Sequence, residues 1–241
     1  HRDLHSLRRR QRQMCIRDRS SGMFAAMAIL AALIKRDKTG KGQYIDVSML
    51  DCVISWLSIH AVNYFIDEIE PKRGEMLLNG GFPFYNVYET NDGKYITLGC
   101  LEPKFWANFC RAIGREDLID KHFAAGKERE KVFEELRKIF KEKTRDEWFE
   151  ILKKADVCCG PVYTFSEVFD DPHVKERGMV IEVEDPRTGK LNQLAFPIKF
   201  SDAEIRVRNV GPQLGEHTRD VLKELGYSDN QIDELKSKGV I

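Results

Sequence analysis

The segment 78–106 constrains the fold of this chain most strongly, because it combines a glycine pair, a hairpin and a helix start. Two runs rich in aromatic and β-branched residues flank an Asn-Asp-Gly turn that ends at Gly93, and glycine supplies the positive φ that tight turns require. We therefore predict a β-hairpin with strands at 84–88 and 95–98. A Glu-Pro pair follows, and because proline is favoured in the first turn of a helix, we predict a helix from there to about residue 114.

Glu102, at the predicted start of this helix, is the main candidate for a catalytic role. The amide groups of a helix N-terminus favour an ionised carboxylate and fix its direction. The simpler alternative is a helix cap without catalytic function. Gly80 and Gly81 are the second candidate, as a flexible loop that lets the backbone approach a substrate. Their simpler alternative is an ordinary turn.

Charge and hydropathy argue against two classes of protein. The formal net charge is zero at pH 7, which gives no electrostatic basis for binding nucleic acid or an anionic membrane. The apolar run 23–34 is shorter than the roughly 20 residues that a membrane-spanning helix needs, so we predict a buried helix there. We expect neither a nucleic-acid partner nor a membrane partner.

The cysteines and histidines do not combine into a metal-site pattern. None of the six cysteines forms a C-x-x-C pair, and no histidine pair follows such a pair at zinc-finger spacing, so we expect no metal site. Sparse, unpatterned cysteines are typical of a reducing cytoplasm, which is the location we predict. We predict that Cys158 and Cys159 are buried before a chain break at Gly160, with a redox pair as the alternative. His122 stands in a polar segment and is predicted to lie at the surface.

The first 19 residues differ from the rest of the chain. They carry seven arginines against Asp3 and Asp18, and they show no helical or strand period. Three interpretations are open: an RNA-binding arm, a disordered tail, or a translated sequencing adaptor, which the string RRRQRQMCIRDR closely resembles. We favour the third and exclude residues 1–19 from the fold as non-native or disordered.

Residues 20–65 are predicted to form one strand between two apolar helices. The run 23–34 gives the first helix, and residues 43–47 have the pattern of a short buried strand. Ser48-x-x-Asp51 resembles a capping box and starts a second helix that reaches about residue 65. A strand flanked by apolar helices indicates an α/β layer, of which only a piece is present.

The remainder is predicted to contain further helices and a second hairpin. Capping motifs of the form Ser/Thr-x-x-Glu/Gln mark helix starts at Thr144, Thr164 and Ser228. The other predicted elements are helices at 127–141 and 215–225 and strands at 180–183 and 191–195.

Four ordered segments together resemble the CaiB/BaiF family, which comprises the family III CoA-transferases and the related α-methylacyl-CoA racemases. The resemblance runs from about residue 20 to the C-terminus. The segments that carry it are TGKGQYIDVSMLD at 39–51, NGGFPFYNVYETNDGKYITLGCLEPKFW at 79–106, CGPVYTFSEVFDDPHVKERGM at 159–179 and GEHTRDVLKELGYSDNQIDELKSKGVI at 215–241.

The resemblance implies an α/β enzyme whose subunit has a Rossmann-like large domain and a small α+β domain. Two such subunits are expected to interlock as a homodimer. Residues 20–70 then correspond to a remnant of the large domain, 71–200 to the small domain, and 201–241 to C-terminal helices that return to the large domain. The implied substrate is an acyl-CoA. Coenzyme A therefore arrives as part of the substrate, and no separate cofactor is expected.

The family's catalytic groups match this chain only in part. A central Asp forms acyl-anhydride intermediates in the transferases and shares proton transfer with a His in the racemases, and the resemblance places both before residue 20. Asp18 lies near the expected Asp, but it belongs to the Arg-rich string and its spacing differs by one, so we do not assign it. Glu102 in LEPKFW matches the Glu that orients the catalytic His of the racemases. Gly80 and Gly81 match the glycine-rich loop that covers the active site in the transferases, although the loop here is shorter.

The sequence and the resemblance leave three functions open. Glu102 favours a 2-methylacyl-CoA racemase, whereas CoA transfer to a carboxylic acid is the commoner activity in the family. The alternative from another class is a non-catalytic protein that binds nucleic acid through its basic arm. Because the resemblance places both bases before residue 20, we expect this chain to be an inactive fragment by itself. We also expect the apolar faces of 23–34 and 53–65 to be exposed for want of large-domain partners.

Overall fold

The structure is a computed structural model in which helices and two small sheets make up the chain, in agreement with the predicted α/β class. The chain divides into two compact units, His1–Pro161 and Val162–Ile241. The structure describes the backbone of residues 7–185, 187–203, 207 and 210–241, with their side chains from residue 16 onward.

Ten α-helices and five strands follow one another in the residues that the structure describes. The helices are α1 (Leu7–Thr39), α2 (Met49–Ser55), α3 (Ser58–Asp67), α4 (Pro103–Ala112), α5 (Gly126–Phe140), α6 (Arg145–Lys154), α7 (Phe165–Asp170), α8 (Pro172–Glu176), α9 (Thr218–Glu224) and α10 (Asp229–Ser237). The strands are β1 (Tyr85–Glu89), β2 (Tyr95–Gly99), β3 (Cys159–Val162), β4 (Val180–Asp185) and β5 (Gly189–Leu194). A 3₁₀ helix, Glu116–Lys121, lies between α4 and α5.

The predicted hairpin is the centre of the first unit. Strands β1 and β2 pair antiparallel with Tyr88 opposite Ile96, and Gly93 has a φ of 74° in the connecting turn. Inward-facing side chains of the hairpin pack with α4, α5 and α6 into one apolar core. Trp106 and Phe140, from α4 and α5, are among its fully buried members. The hairpin and the three amphipathic helices predicted from the sequence are thus confirmed.

Strand β3 occupies a segment where the sequence predicts only a chain break. It joins the sheet beside β2, in the order β1-β2-β3. The Gly99 N–H donates to the Cys158 carbonyl at 2.8 Å, and Thr97 Oγ1 donates to the Gly160 carbonyl at 3.0 Å. Pro161 suits this edge position, because proline has no N–H to contribute to a further strand.

Helix α1 begins at Leu7, inside the segment 1–19 that we expected to lie outside the fold. Residues 7–19 are helical in place of the predicted disorder. Arginine, glutamine and methionine are good helix formers, so they can extend an apolar helix without tertiary contacts. Residues 1–6 lie outside the described residues, and the origin of the Arg-rich string stays a prediction.

The strand predicted at 43–47 is wrong, because these residues are irregular. A strand needs a neighbouring strand for its hydrogen bonds, and none of the described strands lies beside this segment. The helix predicted to follow it is present but is broken between α2 and α3. Ser48 Oγ accepts the Asp51 N–H at 3.3 Å at the start of α2, as the capping motif predicts.

The apolar faces of α1 and α3 are exposed, as we expect for helices without large-domain partners, so the buried helix predicted at 23–34 is wrong for this chain. Met27, Leu30 and Ile34 on α1 are 54%, 61% and 60% exposed and recur at the spacing of one helix face. Phe65 on α3 is 76% exposed. Taken singly, no helix in the described part of the chain has the length and apolar composition to cross a membrane. Helices α2 and α3 reach that length and composition only as a pair, which is bent by 68°.

The second unit contains the second predicted hairpin and short capped helices. Strands β4 and β5 pair antiparallel with Val183 opposite Leu191, and Thr164 and Ser228 form complete capping boxes at α7 and α10. These predictions are confirmed. The compact units divide after residue 161, whereas our boundaries after residues 70 and 200 refer to the domains of a complete two-domain enzyme and stay predictions.

Candidate functional site

Glu102 connects the three-stranded sheet to α4. It is the N-cap residue of that helix, with φ −77° and ψ 139°, and Pro103 follows in the first turn. Its side chain is exposed and makes no capping hydrogen bond. The helix-cap interpretation therefore does not account for this carboxylate, which remains available to another group.

The backbone on both sides of Glu102 is held in place. The Glu102 carbonyl accepts hydrogen bonds from the N–H groups of Phe105 and Trp106 at 3.0 and 3.2 Å. On the strand side, Nε2 of His122 lies 2.8 Å from the Cys100 carbonyl oxygen. A fixed strand–helix junction thus presents the carboxylate, as a site residue requires.

His122 is buried, so its predicted surface position is wrong. Its side chain is only 8% exposed and lies against the rings of Phe84, Trp106 and Phe123, with centroid distances of 4.4, 5.4 and 4.3 Å. Burial lowers the pKa of His122 and favours the neutral ring. Because Nε2 faces a carbonyl oxygen, the neutral ring carries its proton there.

An open pocket of about 580 Å³ lies over the three-stranded sheet and extends to Gly99, three residues before Glu102. Its walls come from the segment before β1, from β1 and β2, and from the start of β3. Leu78, Tyr85 and Val87 supply apolar surface, and Asn86 and Thr97 supply polar groups. A mostly apolar pocket with a few polar groups is the usual form of a small-molecule site.

The two predicted site glycines have different surroundings. Gly80 lines the pocket and has a φ of 103°, in the region that favours glycine. Gly81 is buried, and a Cβ at that position would lie 2.3 Å from the Glu75 carbonyl oxygen. Gly80 therefore belongs to the pocket, whereas Gly81 allows two backbone segments to pack closely beneath it.

Cys158 and Cys159 line the same pocket, although the sequence predicts that both are buried. Cys158 is exposed and Cys159 is half-buried. Partial burial raises the pKa of Cys158, and the negative charges of Glu102 and Asp156 raise it further. Burial raises the pKa of Cys159 to about 11. Both thiols are therefore protonated near neutral pH, and the charge of Glu102 acts on one of them, Cys158.

Helix α4 also holds the loop before β3. Lys104 Nζ lies 2.8 Å from Asp156 Oδ2, and Asn108 Nδ2 donates to the Asp156 carbonyl at 3.2 Å. Asp156 has a φ of 56°, which is uncommon for a residue other than glycine. Because α4 begins directly after Glu102, these contacts fix the position of Cys158 relative to that carboxylate.

Of the three predicted site residues, Gly80 lines the pocket, Gly81 packs against the Glu75 carbonyl, and Glu102 lies outside the pocket lining, three residues after Gly99. The sequence does not single out Asn86 or Thr97, because their pocket forms only when β3 pairs with β2, and no local signal marks that pairing. In the described residues, no three His, Cys, Asp or Glu side chains form a group that could hold a metal ion.

Two curated relatives resemble most of this chain. Human alpha-methylacyl-CoA racemase is 33% identical over 223 residues, which are 91% of this chain and 57% of that protein. Human succinyl-CoA:glutarate CoA-transferase is 33% identical over 230 residues, which are 93% of this chain and 52% of that protein. The chain therefore spans just over half the length of each relative.

A solved structure and a family profile agree with this similarity. A CaiB/BaiF family protein from Brucella suis matches 86% of this chain and 54% of its own length, with a TM-score of 0.66 and 31% identity. Residues 9–218 match the profile of CoA-transferase family III, so the match begins within the segment 1–19. The family predicted from the four sequence segments is confirmed. The chain belongs to CoA-transferase family III, the CaiB/BaiF family.

Proposed function

We propose that this chain forms part of an enzyme that acts on acyl-CoA thioesters, and that the enzyme racemises a 2-methylacyl-CoA. The observation that carries the proposal is the carboxylate of Glu102. It is exposed, makes no capping bond, and stands on a fixed helix start three residues after Gly99, which lines the open pocket. A carboxylate in that setting can orient an imidazole, which is the role that the family resemblance implies for Glu102.

The chemistry of a thioester suits this arrangement. Its carbonyl acidifies the α-hydrogen, so a base on one face of the substrate removes the proton and an acid on the other face returns it. The family resemblance supplies an Asp and a His for these steps and places both before residue 20. Glu102 would hold the imidazole in one tautomer and stabilise its protonated form.

The pocket is suited to the acyl part of such a substrate. Leu78, Tyr85 and Val87 provide apolar surface, and Gly80 keeps one wall free of a side chain. Coenzyme A would enter as part of the substrate, so the proposal includes no separate cofactor and no metal.

A second candidate is CoA transfer between an acyl-CoA and a carboxylic acid. The human CoA-transferase is as similar to this chain as the human racemase, at 33% identity each. In this reaction the Asp that the resemblance places before residue 20 would attack the thioester and form an acyl anhydride. Glu102 would have no orienting role in that mechanism.

The proposal extends to assembly and location. The exposed apolar faces of α1 and α3 support an interlocked homodimer, because faces of this kind are normally covered. Cys52, Cys100, Cys110, Cys158 and Cys159 are free thiols, which supports a reducing cytoplasm. A net charge of zero supports a protein that binds neither nucleic acid nor an anionic membrane.

The test is incubation with one enantiomer of a 2-methylacyl-CoA in heavy water. It uses the 241-residue chain and, beside it, the product of the genomic reading frame that contains residues 20–241. We expect the chain alone to be inactive and the genomic product to incorporate deuterium at the α-carbon. Glu102→Gln should lower that rate at least about tenfold, whereas Glu150→Gln, an exposed carboxylate on α6, should not change it.

The same reaction mixture separates the two candidates. Transfer of labelled CoA to an added carboxylic acid, without deuterium at the α-carbon, would overturn the racemase and establish the transferase. Deuterium incorporation by the genomic product with an undiminished rate in Glu102→Gln would remove Glu102 from the mechanism.

A further inference from the structure

Two consecutive carbonyl groups in the loop before β1 are held by side chains from two different elements. Nδ2 of Asn86, on β1, donates to the Gly80 carbonyl at 2.9 Å. Nη1 of Arg129, on α5, donates to the Gly81 carbonyl at 2.9 Å. Gly80 and Asn86 both line the pocket, so this loop forms one of its walls.

Arg129 is itself positioned by an aromatic ring. Its guanidinium carbon lies 4.7 Å from the centroid of the Phe82 ring, within the range of a cation–π contact. Phe82 in turn packs against Phe84 and Phe123, with centroid distances of 5.2 and 6.1 Å. The half-buried Arg129 therefore connects the loop to the aromatic core rather than extending freely into solvent.

Further contacts close the loop on itself. The Gly81 N–H donates to the Met76 carbonyl at 3.0 Å, and Oδ1 of Asn79 accepts the Met76 N–H at 2.8 Å. The backbone of Gly81 lies so close to the Glu75 carbonyl that no side chain fits between them. A loop with these bonds differs from the flexible loop that the glycine pair suggests in the sequence.

We propose that Arg129 is a positioning residue, whose hydrogen bond to the Gly81 carbonyl holds residues 76–82 as a fixed wall of the pocket. The pocket is then preformed, and the contact between α5 and the loop sets its width. That an acyl chain occupies the pocket rests on the proposed function, whereas the fixed wall does not.

Hydrogen exchange of the full chain, resolved to single amides, tests this role. Arg129→Met keeps an apolar contact with Phe82 but removes the donor, so the amides of residues 76–82 should exchange about tenfold faster. Arg129→Lys restores a donor and should return the exchange toward that of the parent chain. Arg137→Met is the matched control, because Arg137 lies on the same helix and contacts a different ring, Phe133, at 5.3 Å.

The proposal is overturned if Arg129→Met leaves the loop as protected as in the parent. It is also overturned if Arg137→Met accelerates the same amides equally, because the effect would then be a general loosening of α5. Binding of decanoyl-CoA and acetyl-CoA to the same chains provides a second measurement. A positioning role predicts a larger loss for decanoyl-CoA in Arg129→Met, and equal losses for the two ligands would contradict it.

Failure of the proposed function gives a different result. If the parent chain and the genomic product bind neither CoA thioester, the acyl-CoA proposal fails. Hydrogen exchange at the amides of residues 76–82 then still tests whether Arg129 fixes this wall of the pocket.

Discussion

The hairpin core and the N-terminal helices of the first unit both contain many apolar side chains, but they place them in opposite environments. Trp106 and Phe109 on α4 are 1% and 0% exposed, whereas Leu30 on α1 and Phe65 on α3 are 61% and 76% exposed. Both regions have the sequence pattern of helices that bury one face. The difference is the presence of a partner, because the 3₁₀ helix, α5 and α6 pack against α4, and no described element covers these faces of α1 and α3.

This difference shows what an apolar pattern specifies. An apolar pattern predicts that one face of a helix is buried, but it does not identify the surface that covers that face. In the hairpin core that surface is nearby in the chain, so folding of the unit satisfies the pattern. On α1 and α3 no surface among the described residues covers the apolar faces.

The prediction with the largest expected effect compares how much one apolar side chain in each region contributes to the free energy of unfolding. Trp106→Ala should lower the free energy of unfolding by about 3–5 kcal/mol, because it leaves a cavity in a closed core and frees the Leu118 carbonyl that the indole N–H contacts at 2.9 Å. Leu30→Ala should cost less than about 0.5 kcal/mol, because its side chain stays in water. Urea unfolding followed by far-ultraviolet circular dichroism measures both. A large cost for Leu30→Ala would break the comparison, since α1 would then be buried in solution.

The prediction with the next largest expected effect tests whether a buried side chain also stabilises the second unit. The Asp185 carboxylate is 4% exposed and accepts from Arg187 Nη2 at 2.8 Å and from the Arg187 N–H at 2.7 Å. The Arg187 guanidinium and N–H bonds hold the pKa of Asp185 at about 2, below its ordinary value of 3.8. The ionised carboxylate therefore stabilises the folded unit above about pH 4, and that stability is lost as the pH falls toward 2.

Arg187→Ala should lower the Tm of the second unit at pH 7 by a few degrees and flatten its decline between pH 4 and pH 2. Lys190→Ala is the control, because its pair with Glu182 is exposed on both sides and such pairs contribute little. Calorimetry of the chain at several pH values measures both. An unchanged acid decline in Arg187→Ala would show that the Asp185 pair is not formed in solution.

The elements that the sequence predicts are those that depend on local contacts. Gly93 defines the first hairpin, Pro103 starts α4, and the Thr144 capping motif starts α6 with its Oγ accepting the Glu147 N–H at 3.3 Å. The errors concern distant partners. Residues 43–47 lack a neighbouring strand, and β3 joins a strand in which Thr97 is 63 residues from its partner Gly160.

The residues of the candidate site also separate into those that local sequence identifies and those that depend on distant partners. Glu102 and Gly80 stand in one segment, so motif and resemblance suffice to find them. Asn86 stands in the same segment, but no motif marks it. Cys158 and Arg129 reach the site only when β3 and α5 pack against the hairpin, and no periodicity in the sequence reports that packing. The burial of His122 could not be predicted for the same reason, because two of the rings around it, Phe84 and Trp106, come from other segments of the chain.

The smallest expected effect lies at the edge of the hairpin core, where Glu102 follows the strand that lines the pocket. The charge of Glu102 is one cause of the raised pKa of Cys158, after burial. Glu102→Gln removes that charge, so the pKa of Cys158 falls and more thiolate is present at pH 8. Alkylation of Cys158 by iodoacetamide should become about two- to fourfold faster, as followed by mass spectrometry of the peptide that contains it.

Glu150→Gln removes an exposed carboxylate on α6 and should leave the Cys158 rate unchanged. Because the measurement needs no catalysis, it reports on the site even if the chain is inactive. Faster alkylation of Cys158 in Glu102→Gln, but not in Glu150→Gln, would show that the Glu102 carboxylate lies near Cys158 in solution. The ordered structure of the hairpin core would then extend to the start of α4. Equal rates in the parent and both variants would show that the charge of Glu102 does not act on Cys158 in solution, and the ordered hairpin core would then not extend to this helix start.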